Sequence, residues 1–184
     1  MHTEAEQDAE PVLGYEVKSR PVYPPVQKNS RAKYHLFVCQ GDMPEAMASV
    51  VEACEAVGHR LIEASDPVTA VQQLQQVTPE LPLATCAYVA GDEAFIWTVA
   101  EALGAAGMIP EQIQPFAPAD RSRHVFCCHC YHITSGVTHT PAACAGCQRL
   151  LAVTDHFSRK LAAYRGIQIN AEDPADIPEP MELK

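Results

Sequence analysis

Four cysteines stand in two pairs, Cys127-x-x-Cys130 and Cys144-x-x-Cys147, with thirteen residues between the pairs. In this two-knuckle spacing each pair bends a tight turn round an ion, and four thiolates converge on it tetrahedrally. Gly136 and the stretch from Pro141 to Gly146 supply turn residues, and Val125-Phe126 and Leu150 to Val153 are expected to pair as a small sheet. Four thiolates suit zinc, a single rubredoxin-type iron or an iron–sulfur cluster. Zinc is favoured, because rubredoxin-like knuckles usually place Gly directly after the second cysteine, whereas here Tyr131 and Gln148 follow. A closed set of four leaves no open coordination position. The ion would then be structural and would contribute folding free energy to a piece too small for a core of its own. Cys128, His129, His132 and His139 crowd the same segment and read as loop residues, since four thiolates already satisfy one ion. Reduced cysteines without metal are the bland alternative.

The rest of the chain limits the setting of such a site. With 184 residues, 47% of them hydrophobic, there is room for one ordinary domain and a small module. A formal charge of −10 repels phosphate backbones and anionic lipid, so neither nucleic acid nor a membrane surface is an expected partner. No stretch approaches the roughly eighteen apolar residues of a membrane span. Met1-His2-Thr3-Glu4 opens no secretory signal, so a cytoplasmic location is expected. Eight cysteines in a reducing compartment point to metal or redox chemistry rather than disulfides.

The elements that must position the cysteines alternate in type. Residues 1–32, with Pro11, Pro21, Pro24 and Pro25, read as an extended arm, disordered or lying along a partner. From Tyr34 to Cys39 a buried strand is expected, then a helix with Asp42 as cap, Pro44 in its first turn and Gly58 at its end. A strand at Arg60 to Glu63 leads to Ser65-Asp66-Pro67 and a helix striped by Val68, Val71, Leu74 and Val77. Strand Ala84 to Val89, turn Ala90-Gly91-Asp92, a helix from Glu93 to about Ala106 and a strand near Gln112 to Phe116 complete residues 33–118. Alternation with apolar strands predicts a small three-layer α/β domain on a parallel sheet, Rossmann-like in plan. Cys39, Cys54 and Cys86 fall on its apolar faces as small hydrophobes. A linker over 119–123 and a zinc-ribbon or rubredoxin-like module over 124–169 follow. That module closes on a helix capped by Thr154 or Asp155, with Phe157, Leu161 and Tyr164 on one face and Gly166 past its end. The acidic tail over 170–184 is expected to be mobile unless a partner orders it.

Two resemblances add to this reading. The run from Tyr88 to Phe95, its following helix and Gly107 to Ile113 resemble the end of the nicotinamide-nucleotide domain of ferredoxin reductase-like flavoenzymes. That resemblance implies a dinucleotide beside Gly41, Gly91 and Asp92, at the carboxyl ends of the strands. Against it, Gly41-Asp42-Met43-Pro44 is not a glycine-rich phosphate turn, and Asp42 would oppose a phosphate. A scaffold used for protein contact is the favoured alternative. With the two cysteine pairs and the segment Leu151 to Ser158, Leu161 and Tyr164-Arg165-Gly166, most of 33–169 resembles the small subunit family of bacterial dimethylamine monooxygenase.

That second resemblance implies an accessory partner, with no catalytic residue of its own, in an NADPH-driven, haem-dependent oxidative N-demethylase. NADPH, flavin, iron–sulfur and haem would reside on other subunits, and those subunits would be the partners. A rubredoxin-like iron carrier and a stand-alone zinc-ribbon adaptor remain the rival readings.

Overall fold

The computed structural model describes residues 19–118, 120–173, 175 and 177–183. The proposed arm's residues 1–18 lie outside the described ones.

Strand β1, Tyr34–Gln40, is apolar almost without interruption and is buried on both faces over its five central residues. Such a strand is stable only in the middle of a covered parallel sheet. It pairs in parallel with β2, Gly58–Ala64, on one side and with β3, Thr85–Ala90, on the other. The short β4, Ile113–Pro115, extends the sheet beyond β3, giving the order β2-β1-β3-β4. Helix α1, Glu45–Cys54, covers one face, where Met47, Val50 and Cys54 meet Phe37, Cys39, Cys86 and Tyr88. Helices α2, Pro67–Val77, and α3, Glu93–Ala105, cover the other. There Leu74 and Val77 join Phe95, Ile96, Val99 and Leu103 over Leu36, Val38 and Val89. The three layers match the expected alternation, and the three cysteines are buried as expected.

Two caps follow the expected chemistry. The Asp66 carboxylate accepts from the Thr69 N–H with Pro67 at the first helical position, and Asp92 accepts from the Phe95 N–H. The cap of α1 does not. Pro44 occupies that position with no side-chain hydrogen bond, and Gly58 opens β2 rather than closing the helix. Val68 is 67% exposed, and Ala70 takes its place in the buried stripe of α2.

The second sheet has the order β6-β5-β10-β9-β8. Its strands are β5, Arg123–Cys127; β6, Ile133–Val137; β8, Ala142–Ala143; β9, Leu150–Ser158; and β10, Ala163–Gln168. The expected terminal helix is therefore a hairpin, β9 with β10. Leu161 falls in its turn, so its helical spacing to Phe157 and Tyr164 is coincidental. Gly166 is no helix stop: a Cβ there would lie 2.7 Å from Val125 Cγ1 and 2.9 Å from Leu151 Cδ1. Only Gly lets β10 pass that close to its neighbours. In consequence β5 pairs with β6 and β10, while Leu150 and Leu151 pair with β8 instead of with Val125-Phe126.

Both ends of the described chain are tied down. In the arm, the Tyr23 hydroxyl donates to Glu93 (2.7 Å) and accepts from Trp97 Nε1 (3.0 Å), and the Asn29 N–H donates to the Tyr88 hydroxyl. Ser19 accepts from the Phe157 N–H and donates to the Asp155 carbonyl. The arm thus lies along its own chain and touches both sheets. In the tail, β11, Met181–Glu182, pairs with β7, His139–Thr140, and Leu183 enters the core of the second sheet. That contact corrects the expectation of a mobile tail for these residues.

Candidate metal centre

Both knuckles are built alike. The Cys127 carbonyl accepts from the Tyr131 N–H and the Cys144 carbonyl from the Gln148 N–H, each at 2.9 Å. The turn closes because the residue after the second cysteine takes the left-handed conformation, φ 62° at Tyr131 and 61° at Gln148. Gly is the usual choice there. Its absence does not alter the turn, so the argument for zinc from the missing glycines loses its force. Across each knuckle the chain returns through Cys127 N–H to His132 O and Cys144 N–H to Arg149 O, again at 2.9 Å.

These turns bring the sulfurs of Cys127, Cys130, Cys144 and Cys147 to within 4.8 Å of one another. Cys127 and Cys147 are 3.8 Å apart, and Cys130 and Cys144 3.5 Å. A tetrahedron of metal–sulfur bonds near 2.3 Å has edges of about 3.8 Å, so the cage fits one four-coordinate ion. Cys127 and Cys144 are buried, Cys130 and Cys147 half-buried. Gly146 sits against the cage: a Cβ there would lie 2.7 Å from His132 Cβ and 3.3 Å from the Cys130 sulfur. The sequence signalled Gly146 only as a turn residue; its close approach to the cage depends on the folded hairpins.

The electrostatics of the cage suit a cation. Burial raises the Cys144 thiol, but the peptide N–H groups of Cys147 and Gly146 and the Cys130 and Cys147 thiols outweigh it and hold it down to about 6. The His132 N–H favours a Cys130 thiolate, yet burial and the thiols of Cys144, Cys147 and Cys127 win and push it up to about 12. One sulfur ionises easily and another last, as expected when like charges share a small space. Four thiolates at these distances need a cation among them.

Of the neighbouring candidates, Cys128, His129, His132 and His139 stay outside the four-sulfur group. Cys128, His129, His132 and His139 are exposed, as expected of loop residues. Asp155, expected as a helix cap, instead accepts from the Arg123 guanidinium at 3.1 Å. Arg123, expected in the linker, opens β5; it is 5% exposed and lies 4.2 Å over the Tyr164 ring. No sequence pattern marked this pair, because its partners are 32 residues apart.

Of the proposed nucleotide residues, Gly41 follows the carboxyl end of β1, and Gly91 and Asp92 that of the adjacent β3. Gly41 has φ 66°, and a Cβ there would meet nothing within 4 Å. Gly91 is closely overlain, its absent Cβ lying 2.7 Å from Phe95 and 2.9 Å from Gln40. The Gln40 amide spans the mouth: its oxygen accepts from the Asp92 N–H (2.8 Å) and its nitrogen donates to the Asp92 carboxylate (3.0 Å). The peptide donor and the carboxylate at that turn are thereby engaged within the protein.

The architecture is that of a helix-covered parallel sheet joined to a four-cysteine β module. Residues 124–167 match the family model described as the C-terminal domain of dimethylamine monooxygenase subunit DmmA-like proteins. Over 160 residues the chain is 29% identical to the haem-dependent oxidative N-demethylase delta subunit of Ectopseudomonas mendocina (strain ymp). That alignment covers 85% of this chain and 91% of the relative. Both findings support the resemblance to accessory subunits of this family drawn from the sequence. No solved structure matches the chain. Among the described residues, no helix is long and apolar enough to cross a membrane.

Proposed function

We propose that this chain is a non-catalytic subunit of a cytoplasmic, NADPH-linked amine monooxygenase of the dimethylamine type. In this reading it holds the haem and reductase subunits together or aids electron delivery between them. The observation that carries the reading is the four-sulfur cage in a module matched to the DmmA-like C-terminal domain. Cys127, Cys130, Cys144 and Cys147 are its metal ligands. A four-thiolate site has no open position for a substrate, so the oxidation falls to other subunits. Zinc there is structural and fixes the module's shape. Gly41, Gly91 and Asp92 form the scaffold's nucleotide-like edge, closed by Gln40 and serving protein contact.

The test is to omit the chain from the co-expressed complex. NADPH-driven demethylation of secondary amine should fall and the remaining subunits should co-purify less well. Unchanged turnover with unchanged assembly would overturn the reading. A second reading places iron in the same cage as an electron relay. The peptide N–H groups of His132, Gly146 and Cys147 directed at sulfur favour it, because such bonds tune iron–sulfur potentials. A visible spectrum with metal analysis separates the two: colourless protein with one zinc per chain rejects iron.

A further inference from the structure

Charge is divided unequally along the chain. Residues 123–169 contain Arg123, Arg149, Arg159, Lys160 and Arg165 against the single carboxylate of Asp155, a net +4. Since the whole chain carries −10, the remainder carries −14. Arg123 is buried against Asp155, which leaves four exposed cations, three of them on the β9–β10 hairpin.

Two of those cations border an apolar surface: Lys160 precedes Leu161 in the turn and Arg165 lines its cleft, whereas Arg159 lies over the Trp97 ring and Arg149 donates to Gln168. Along β10, Tyr164 and Gly166 point inward, so Arg165 and Ile167 face outward, and Arg165 lies opposite Phe126 of β5. A cleft of about 220 Å³ opens there, walled mainly by Phe126, Phe157, Leu161 and Ala163, with Arg165 and His156 among its lining. Around it Leu161 and Ile167 are each 40% exposed, and Tyr131, 5.9 Å from the Phe126 ring, is 73% exposed. An apolar cleft with a charged fringe is the usual form of a protein contact.

We infer that this face of the ribbon docks an acidic surface of another subunit, with Leu161 filling an apolar hollow and Lys160 and Arg165 meeting carboxylates. This rests on the reading of the chain as a subunit of the oxygenase complex. Charge complementarity selects the occupant: a cationic patch on a strongly acidic chain steers an acidic protein onto this face and sets its orientation. A nucleic acid would meet the remaining −14 as well, which opposes a long polyanion.

The test uses the full chain, metal-loaded, titrated against the co-expressed haem and reductase subunits. The Lys160→Glu/Arg165→Glu double variant and the Leu161→Ser variant are compared with Arg60→Glu, an exposed reversal on β2. Metal content and circular dichroism check folding, and the uncharged Leu161→Ser change probes the same face without charge reversal. The wild type should bind, and its affinity should fall as salt rises from about 50 to about 300 mM. The double reversal should weaken binding by about tenfold or more, Leu161→Ser should weaken it less, and Arg60→Glu should leave it within about twofold.

Wild-type binding that ignores both ribbon variants overturns this inference and leaves the subunit reading intact. No wild-type binding at all overturns the subunit reading, and the inference with it. Self-association in sedimentation that the same variants abolish, or a tight complex with a single-stranded oligonucleotide through these residues, also overturns it.

Discussion

The two larger sheets of this molecule owe their stability to different features. The parallel sheet is enclosed by hydrocarbon: Phe37, Tyr88, Phe95, Leu36, Leu74 and Leu103 are all fully buried or nearly so, in two continuous clusters on its two faces. The ribbon's cluster holds six buried residues, Val125, Cys127, Val137, Cys144, Leu151 and Leu183, and two of these are proposed ligands. By area alone the first sheet can be stable, whereas the second has the smaller core and, on the proposed reading, would draw on an ion joining its four sulfurs. The difference sets a half stabilised by packing against one that coordination at the proposed site would stabilise, so that each should be open to breaking separately.

The largest effect is expected from the cage. Chelation, or Cys144→Ser, should abolish stoichiometric metal binding and expose the β5, β6, β9 and β10 amides to exchange, because structural sites of this kind contribute on the order of 10 kcal/mol. The β1 to β3 amides should stay protected. Hydrogen exchange read by mass spectrometry checks this, and equal loss in both sheets would refute the separation. The converse change is Phe95→Ala, which deletes a fully buried ring under α3. It should cost the parallel sheet about 3–5 kcal/mol while metal content stays at the wild-type value.

Smaller effects sharpen the comparison. Gly146→Ala forces a Cβ against His132 and the Cys130 sulfur and should destabilise the metal-bound ribbon by about 1–3 kcal/mol. Competition with a chromophoric chelator measures it; an unaltered affinity would show that the knuckle yields freely. At the junction, Tyr23→Phe removes the hydroxyl that donates to Glu93 and accepts from Trp97. A loss of about 1 kcal/mol or somewhat more is expected in denaturant titration. Trp97 fluorescence should report it, since the Tyr23 and Phe157 rings lie 6.5 and 6.0 Å from the indole.

How much of this was legible beforehand follows from the range of each interaction. Cys127, Cys130, Cys144 and Cys147 form a local pattern repeated once, so their convergence could be read from spacing. Asp66-Pro67 announces a helix start within three residues, and Asp92, placed in the turn before a helix, caps that helix in the same way. The β9–β10 hairpin was hidden because Phe157, Leu161 and Tyr164 mimic a helical stripe, while the glycine that decides the matter, Gly166, acts through contacts with Val125 and Leu151. The Arg123 and Asp155 pair, the Gln40 bridge to Asp92 and the docking of Leu183 join residues far apart in the chain. Nothing local marks them.

The mildest expected effect lies at the α2 cap and tests whether acid attacks the parallel sheet through that helix. The Thr69 N–H, the Thr69 hydroxyl and the Ser65 hydroxyl all favour the Asp66 carboxylate and hold it down to about 2, below its ordinary 3.8. A depressed carboxyl stabilises the fold above its unfolded value and loses that contribution as pH falls through the folded one. The window is therefore between pH 3.8 and about 2. Asn still caps a helix but does not titrate. Asp66→Asn should consequently leave the melting temperature near neutrality almost unchanged and make its decline through that acid window shallower. Equal slopes for the two proteins would mean that acid reaches the parallel sheet by another group, and would remove Asp66 from the account of its pH dependence.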